Sequence, residues 1–189
     1  MTDIRLLPLR EADRPAYEAL YESSFPASER KDLDFMLTGD NSAAYEVLAV
    51  STPDCPVAGM VITVTHGDLT MLDYLAVSPD LRGQGLGHAV LPMVRDRVKE
   101  SGGGHFFLEI ETPPPLCIPR DPCANAEQRM RRKAFYRSAG MVETGVRAFI
   151  YGNDMELLAF PEDAAAVTFE GYDALLRATF PEDMVAERI

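Results

Sequence analysis

The sequence predicts an α+β layered domain. Three observations carry this. Residues 45–77 hold three strand-like stretches in a row, separated by short turns. From Leu86 the apolar period changes to that of a helix. After it a strand, a helix and two further strands follow one another. With 189 residues the chain is long enough to bury one ordinary core.

Each element has its own reason. Ile4 to Leu7 reads as a short first strand, and Glu11 to Ser23 as a helix carrying Ala16, Tyr17, Leu20 and Tyr21 at helical spacing. Phe25-Pro26 ends it, because the residue before proline avoids helical geometry. Lys31 to Leu37 is a second short helix stopped by Gly39. Tyr45–Ser51, Val57–Thr65 and Thr70–Val77 are strands, the second rich in β-branched residues; Pro53-Asp54 and Gly67-Asp68 turn between them. Leu86, Val90, Val94 and Val98 define a helix to about Lys99, with Pro92 kinking its second turn. His105 to Thr112 is a strand with Phe106, Leu108 and Ile110 on one face and His105, Phe107, Glu109 and Glu111 on the other. A long loop fills 113 to about 126. Glu127 to Ala139 is a helix ended by Gly140. Met141–Tyr151 and Asp154–Phe160 form a hairpin around Gly152-Asn153. Ala164 to Phe180 is a last helix broken by Gly171.

Charge and cysteine count narrow the function. Thirty acidic against eighteen basic residues give a net charge of −12. That repels phosphate backbones and anionic lipid, and is neutral or mildly favourable for a cationic substrate such as an amine; no nucleic acid and no membrane are expected. No signal-type stretch follows Met1 and no apolar run reaches membrane-spanning length. Cys55, Cys117 and Cys123 are an odd, sparse set, which reads as free thiols in a reducing, cytoplasmic compartment. Cys117 and Cys123 lack a second pair, so no metal is expected.

The chemistry-bearing segment runs from Leu72 through Leu75-Ala76-Val77-Ser78-Pro79 to Arg82-Gly83-Gln84-Gly85-Leu86-Gly87-His88. It is a strand, a glycine-rich turn and a helix start. Glycines let a bulky anion approach the backbone, and the amides of the turn and first helical turn point outward. Such a loop binds a phosphate or diphosphate, with Arg82 as a charged donor at its rim. A mononucleotide loop would need Lys-Ser or Lys-Thr after the last glycine, but His88-Ala89 follows. A dinucleotide loop would need Gly-x-Gly-x-x-Gly, whereas here the run is Gly-x-Gly-x-Gly.

The segment resembles the coenzyme A loop of the GNAT N-acetyltransferase superfamily, Arg/Gln-x-x-Gly-x-Gly/Ala, with Arg82, Gly85 and Gly87 in register. Phe135-Tyr136-Arg137-Ser138-Ala139-Gly140-Met141 is similar to that family's Phe-Tyr-x-x-x-Gly-Phe segment. The resemblance covers about Ile4 to Phe160. It implies a GNAT-like acyl-CoA N-acyltransferase fold: a central mixed, mostly antiparallel sheet of about seven strands, flanked by helices, whose fourth and fifth strands splay apart. On that reading residues 1–160 are the acetyltransferase domain and 161–189 a helical extension of it. Acetyl-CoA is a co-substrate, its diphosphate on residues 82–88 and its pantetheine on the backbone of Leu75, Ala76 and Val77. The acetyl group passes to a primary amine by direct attack in a ternary complex. The alternative is a non-catalytic acyl-CoA sensor or interaction module on the same fold. A homodimer is left open.

The resemblance assigns Tyr136 as general acid; otherwise it is a ring packed on the sheet. Glu109 is the candidate base, with Asp73, Glu111 and Glu29 on the acceptor side; otherwise these are solvated charges or a helix start. Two departures stand out. Relatives often carry Asn seven residues before the tyrosine and Ala four before it; here those positions are Arg129 and Arg132. Arg129, Arg131, Arg132 and Lys133 read as a solvated helix face, or as a site for an acidic group.

Overall fold

A computed structural model describes residues 3–40, 42–102, 104–150, 152–180 and 187–188. Those residues group into two units. One comprises the chain up to Val64 together with Leu72–Glu100, and the other Thr65–Met71 with the chain from Ser101 onward.

The first unit holds β1 (Arg5–Pro8), β2 (Tyr45–Thr52) and most of β3 (Cys55–His66) and β4 (Leu69–Val77), hydrogen-bonded in that order, with β1–β2 and β2–β3 antiparallel; the Thr65–Met71 turn region that joins β3 to β4 belongs to the second. The β2–β3 register pairs Val47 with Ile62 and Ala49 with Met60, after an irregularity between Val50 and Thr52. β3 is buried from Val57 to Val64, which fits its β-branched composition. Gly59 is needed there: a Cβ would lie 2.8 Å from the Ala76 carbonyl oxygen. The Ser78 amide donates to the Ala58 carbonyl at 2.9 Å, so the exit of β4 is pinned to β3.

Helix α1 (Arg14–Ser24) follows a short 3-10 turn at Glu11–Asp13, so the helix proper begins three residues later than its apolar pattern suggests. Pro15 in its first turn explains the start. Its Tyr17 is fully buried and donates to the Val61 carbonyl at 3.3 Å. Helix α2 (Leu33–Thr38) is capped by Asp32, which accepts from the Asp34 amide at 2.8 Å. Helix α3 (Leu86–Glu100) buries Leu86, Val90, Leu91, Val94 and Val98. Pro92 lies inside it, on the exposed side, and the helix continues through it.

The second unit orders its strands β5 (His105–Glu111), β7 (Asn153–Ala159), β6 (Val142–Ile150) and β8 (Glu187–Arg188). Both β5–β7 and β6–β7 are antiparallel. Asn153 already pairs with Ile150, so it belongs to the strand and not to the turn; Tyr151 lies outside the described residues. Helix α4 (Ala126–Ser138) lies beside β5 in this unit. The expected single terminal helix is two: α5 (Pro161–Ala164) and α6 (Phe169–Thr179). Gly171 does not break α6. It sits in the first turn and donates to its cap, Thr168, at 3.1 Å.

The cysteine reading is corrected in one respect. Cys117 and Cys123 form a disulfide within the 113–125 loop, and Cys55 is the free thiol. Two cysteines six apart are brought together because the loop folds back on itself: the Cys123 amide donates to Asp121 at 2.6 Å, with Cys123 in the left-handed region at φ 49°.

Candidate active site

The glycine-rich turn supplies the strongest local geometry. Gly83 and Gly85 take φ of 75° and 81°, conformations that other residues adopt at a cost. A Cβ at either would meet open space, so the glycines serve the backbone path and leave its outer side uncovered. Among the described residues the amides of 83–87 have no protein acceptor, while Ala89 begins the helical pattern by donating to the Gly85 carbonyl at 3.1 Å. The Arg82 amide is different. It donates to the Pro79 carbonyl at 3.3 Å, so the row of available donors starts at Gly83. Exposed Arg82 also hydrogen-bonds the Val77 carbonyl through Nε at 3.1 Å, which holds its guanidinium at the end of β4 and occupies one acceptor of the expected pantetheine strand. The Gln84 side chain folds back to the Asp80 carbonyl at 3.1 Å. Leu86 is buried and fixes the helix start; Gly87 is half-buried and His88 exposed. On β4, Ala76 points into the core while Leu75 and Val77 are half-buried on the other face with Asp73.

The same unit brings Asp73 and Glu29 together. Asp73 is ion-paired with Lys31 Nζ, and both side chains are mostly buried. Burial pushes the Asp73 carboxyl up, while the charge of Lys31 and its hydrogen bond pull the other way. The ammonium also sits 5.6 Å from the Tyr45 ring centre and 5.5 Å from that of Tyr74. Tyr74 donates to the Glu29 carbonyl at 2.7 Å, and the Lys31 amide donates to Tyr74 at 3.2 Å. The Glu29 side chain itself is exposed.

The second unit carries Glu109, Glu111 and Tyr136. Glu109, half-buried on β5, accepts a hydrogen bond from the Tyr172 hydroxyl of α6. Glu111 faces two guanidiniums, Arg129 at 2.9 Å and Arg132 at 3.1 Å. Tyr136 is half-buried on α4, and burial pushes its phenol up to about 12, with the positive charge of Arg132 opposing the rise.

The basic cluster of α4 is not a solvated face. Arg129 is 1% exposed. It donates to Asp121 at 2.7 Å, to the Thr112 carbonyl at 3.2 Å and to Asn153 at 3.1 Å. Lys133 pairs with Glu156 at 2.7 Å and Glu143 at 3.1 Å. Arg131 alone of the four matches the expectation, exposed and paired with Glu127 at 3.2 Å. The loop thus hangs on Asp121 and Asp154, and Arg147 reaches both Asp154 and the Leu116 carbonyl. Among the described residues no group of three or more His, Cys, Asp or Glu side chains could hold a metal ion, and no helix is long and apolar enough to cross a membrane.

The sequence model of the Acetyltransferase (GNAT) family matches residues 6–114, more than half of the chain and the whole of the glycine-rich segment. The chain belongs to the GNAT acetyltransferase family. Solved structures agree at the level of fold. A protein of Bacteroides thetaiotaomicron assigned to the GNAT family is 21% identical with a TM-score of 0.69, over 92% of this chain and 96% of that one. The ribosomal-protein-S18-alanine N-acetyltransferase of Escherichia coli is 24% identical with a TM-score of 0.54, over 84% and 93%. Spermidine N-acetyltransferase of Vibrio cholerae, solved with CoA and spermine, is 14% identical with a TM-score of 0.61, over 85% and 97%. No curated protein sequence matches. The fold is therefore the GNAT acyl-CoA N-acyltransferase fold, a mixed sheet of seven principal strands flanked by helices; β8 adds an eighth.

Two residues of this GNAT chain escaped sequence reasoning. Lys31 was covered by a helix assignment, and Tyr172 lies beyond the resemblance. Tyr172 had one available signal: with Leu175, Leu176 and Thr179 it forms the buried stripe of α6.

Proposed function

We propose that this GNAT protein transfers an acetyl group from acetyl-CoA to a primary amine by direct attack in a ternary complex. The observation that carries the reading is the row of partnerless amides from Gly83 to Gly87 beside Arg82. Unpaired N–H groups at a helix start favour a dianion, and the open space at Gly83 and Gly85 lets one approach. CoA carries such a diphosphate, and when bound as its acetyl thioester it supplies the group to be transferred. His88 closes the loop, and Leu75, Ala76 and Val77 offer strand backbone to the pantetheine arm. The amine preference is supported by the net charge of −12 and by the spermidine, spermine and ribosomal-protein alanine named for the structural neighbours.

The roles follow from the groups. The attacking nitrogen must be neutral, so a carboxylate takes its proton; Glu109, oriented by Tyr172, is that base. Asp73 and Glu29 are on the acceptor side. Glu111, first read with them, has its carboxylate committed to Arg129 and Arg132 and serves by holding these. Tyr136 is the acid. A phenol near 12 stays protonated at any working pH, so it can always donate to the departing sulfur. Residues 1–160 form the catalytic domain with 161–189 as part of it, since α6 supplies the partner of Glu109. The Cys117–Cys123 disulfide removes the free-thiol argument on which the expectation of a reducing, cytoplasmic compartment rested.

A thiol-release assay with acetyl-CoA and pooled amines, spermidine and an N-terminal alanyl peptide among them, tests it. Release that depends on an amine is expected. Binding without release from any amine would favour the acyl-CoA sensor instead. Tyr136→Phe should lower kcat at least tenfold with unchanged CoA affinity; unchanged kcat would remove Tyr136 from the acid role.

A further inference from the structure

We infer that Arg132, fixed by Glu111 and Arg129, is a positioning residue that sets a permanent positive charge beside Tyr136 and eases departure of the thiolate. The inference rests on the acid role proposed for Tyr136.

Arg132 precedes Tyr136 by four residues on α4, so the two side chains lie one above the other on one helix face. The guanidinium is not left to wander. Its NH1 donates to Glu111 Oε2 at 3.1 Å. The other Glu111 oxygen is held by Arg129 at 2.9 Å. Arg129 is buried and locked in turn by Asp121, the Thr112 carbonyl and Asn153. Charges therefore alternate along a chain: Arg132 positive, Glu111 negative, Arg129 positive, Asp121 negative. The end next to Tyr136 is the positive one. The remaining charges around that part of the helix are matched: Lys133 by Glu156 and Glu143, and Arg137 by Glu143 at 3.7 Å. Glu109 on β5 is tied to Tyr172.

The chemistry explains why a fixed cation is useful here. When the C–S bond of the thioester breaks, its electron pair goes to sulfur, and the Tyr136 proton moves toward that sulfur. A buried phenol is a weaker acid than a thiol, so full transfer is uphill by roughly three powers of ten. A cation one helical turn away stabilises both the developing thiolate and the phenolate left behind.

The test combines kinetics with a direct reading of residue 136. With 3-fluorotyrosine incorporated at position 136, 19F NMR gives its ionisation midpoint in the full chain. Arg132→Met should raise that midpoint by about one pH unit and lower kcat about tenfold, the order expected on losing a single charge four residues away on the same helix face. Acetyl-CoA affinity should hold, and Arg132→Lys should recover most of the loss. An unmoved midpoint, with or without a loss of kcat, would overturn the inference and leave Arg132 a structural tie. Full turnover in Tyr136→Phe would remove the acid reading itself, and this inference with it.

Discussion

At the residue scale, the network around Arg129 is the strongest commitment in the structure. A guanidinium 1% exposed is tolerated because Asp121, Glu111, the Thr112 carbonyl and Asn153 surround it. Burial alone pushes the Asp121 carboxyl up, but the Arg129 hydrogen bond, two amides and the guanidinium charge outweigh it, so the net direction is down. A depressed carboxyl contributes stability above its unfolded pKa of about 4, and that contribution is lost as pH falls through the folded value. Arg129→Met leaves Asp121 buried without its cation. It should cost roughly 3 to 5 kcal/mol at pH 7. The gap to the parent protein should narrow on acidification below about pH 4, because protonated Asp121 no longer needs the partner. Urea unfolding at pH 7 and pH 3.5 reads both effects; a gap that widens in acid contradicts this account.

At the element scale, most of what was legible came from apolar period and turn chemistry. β3 announced itself by its run from Val57 to Thr65, and α3 by Leu86, Val90, Val94 and Val98, which are all buried. α4 was located by its terminal Gly140, but its inner face was misread. Arg129 is buried and Lys133 mostly so, and both make ion pairs, so the packed face carries charge where periodicity looks for apolar side chains. The Cys117–Cys123 bridge and the Tyr172–Glu109 bond were hidden for another reason. One depends on loop folding and the other joins residues 63 positions apart, and neither leaves a local pattern. The glycine-rich turn was readable because the chemistry is in the backbone, and glycine spacing exposes the backbone directly. Helix α6 matters more than its place beyond the family match suggests. Leu176 is 1% exposed on it, so Leu176→Ala should destabilise by about 2 to 5 kcal/mol. It should also loosen Tyr172 and lower turnover. An unchanged melting temperature would show that α6 is an appendage.

At the scale of the whole molecule, net charge gives a prediction independent of any single side chain. With −12 on a chain of 189 residues, cationic acceptors are drawn in and polyanionic CoA is repelled except where the loop amides and Arg82 receive it. Raising ionic strength from about 0.01 to 0.15 M shortens screening from roughly 30 to 8 Å. kcat/KM for a trivalent polyamine should therefore fall several-fold more than for a monoamine. Equal salt dependence would contradict electrostatic recruitment. The central claim is narrower: the amides of residues 83–87 grip a diphosphate. Backbone 1H–15N NMR during titration with CoA tests it most directly. The account predicts large downfield shifts concentrated at Gly83, Gln84, Gly85, Leu86 and Gly87. Binding that leaves those five amides unmoved, or no binding at millimolar CoA, would contradict it.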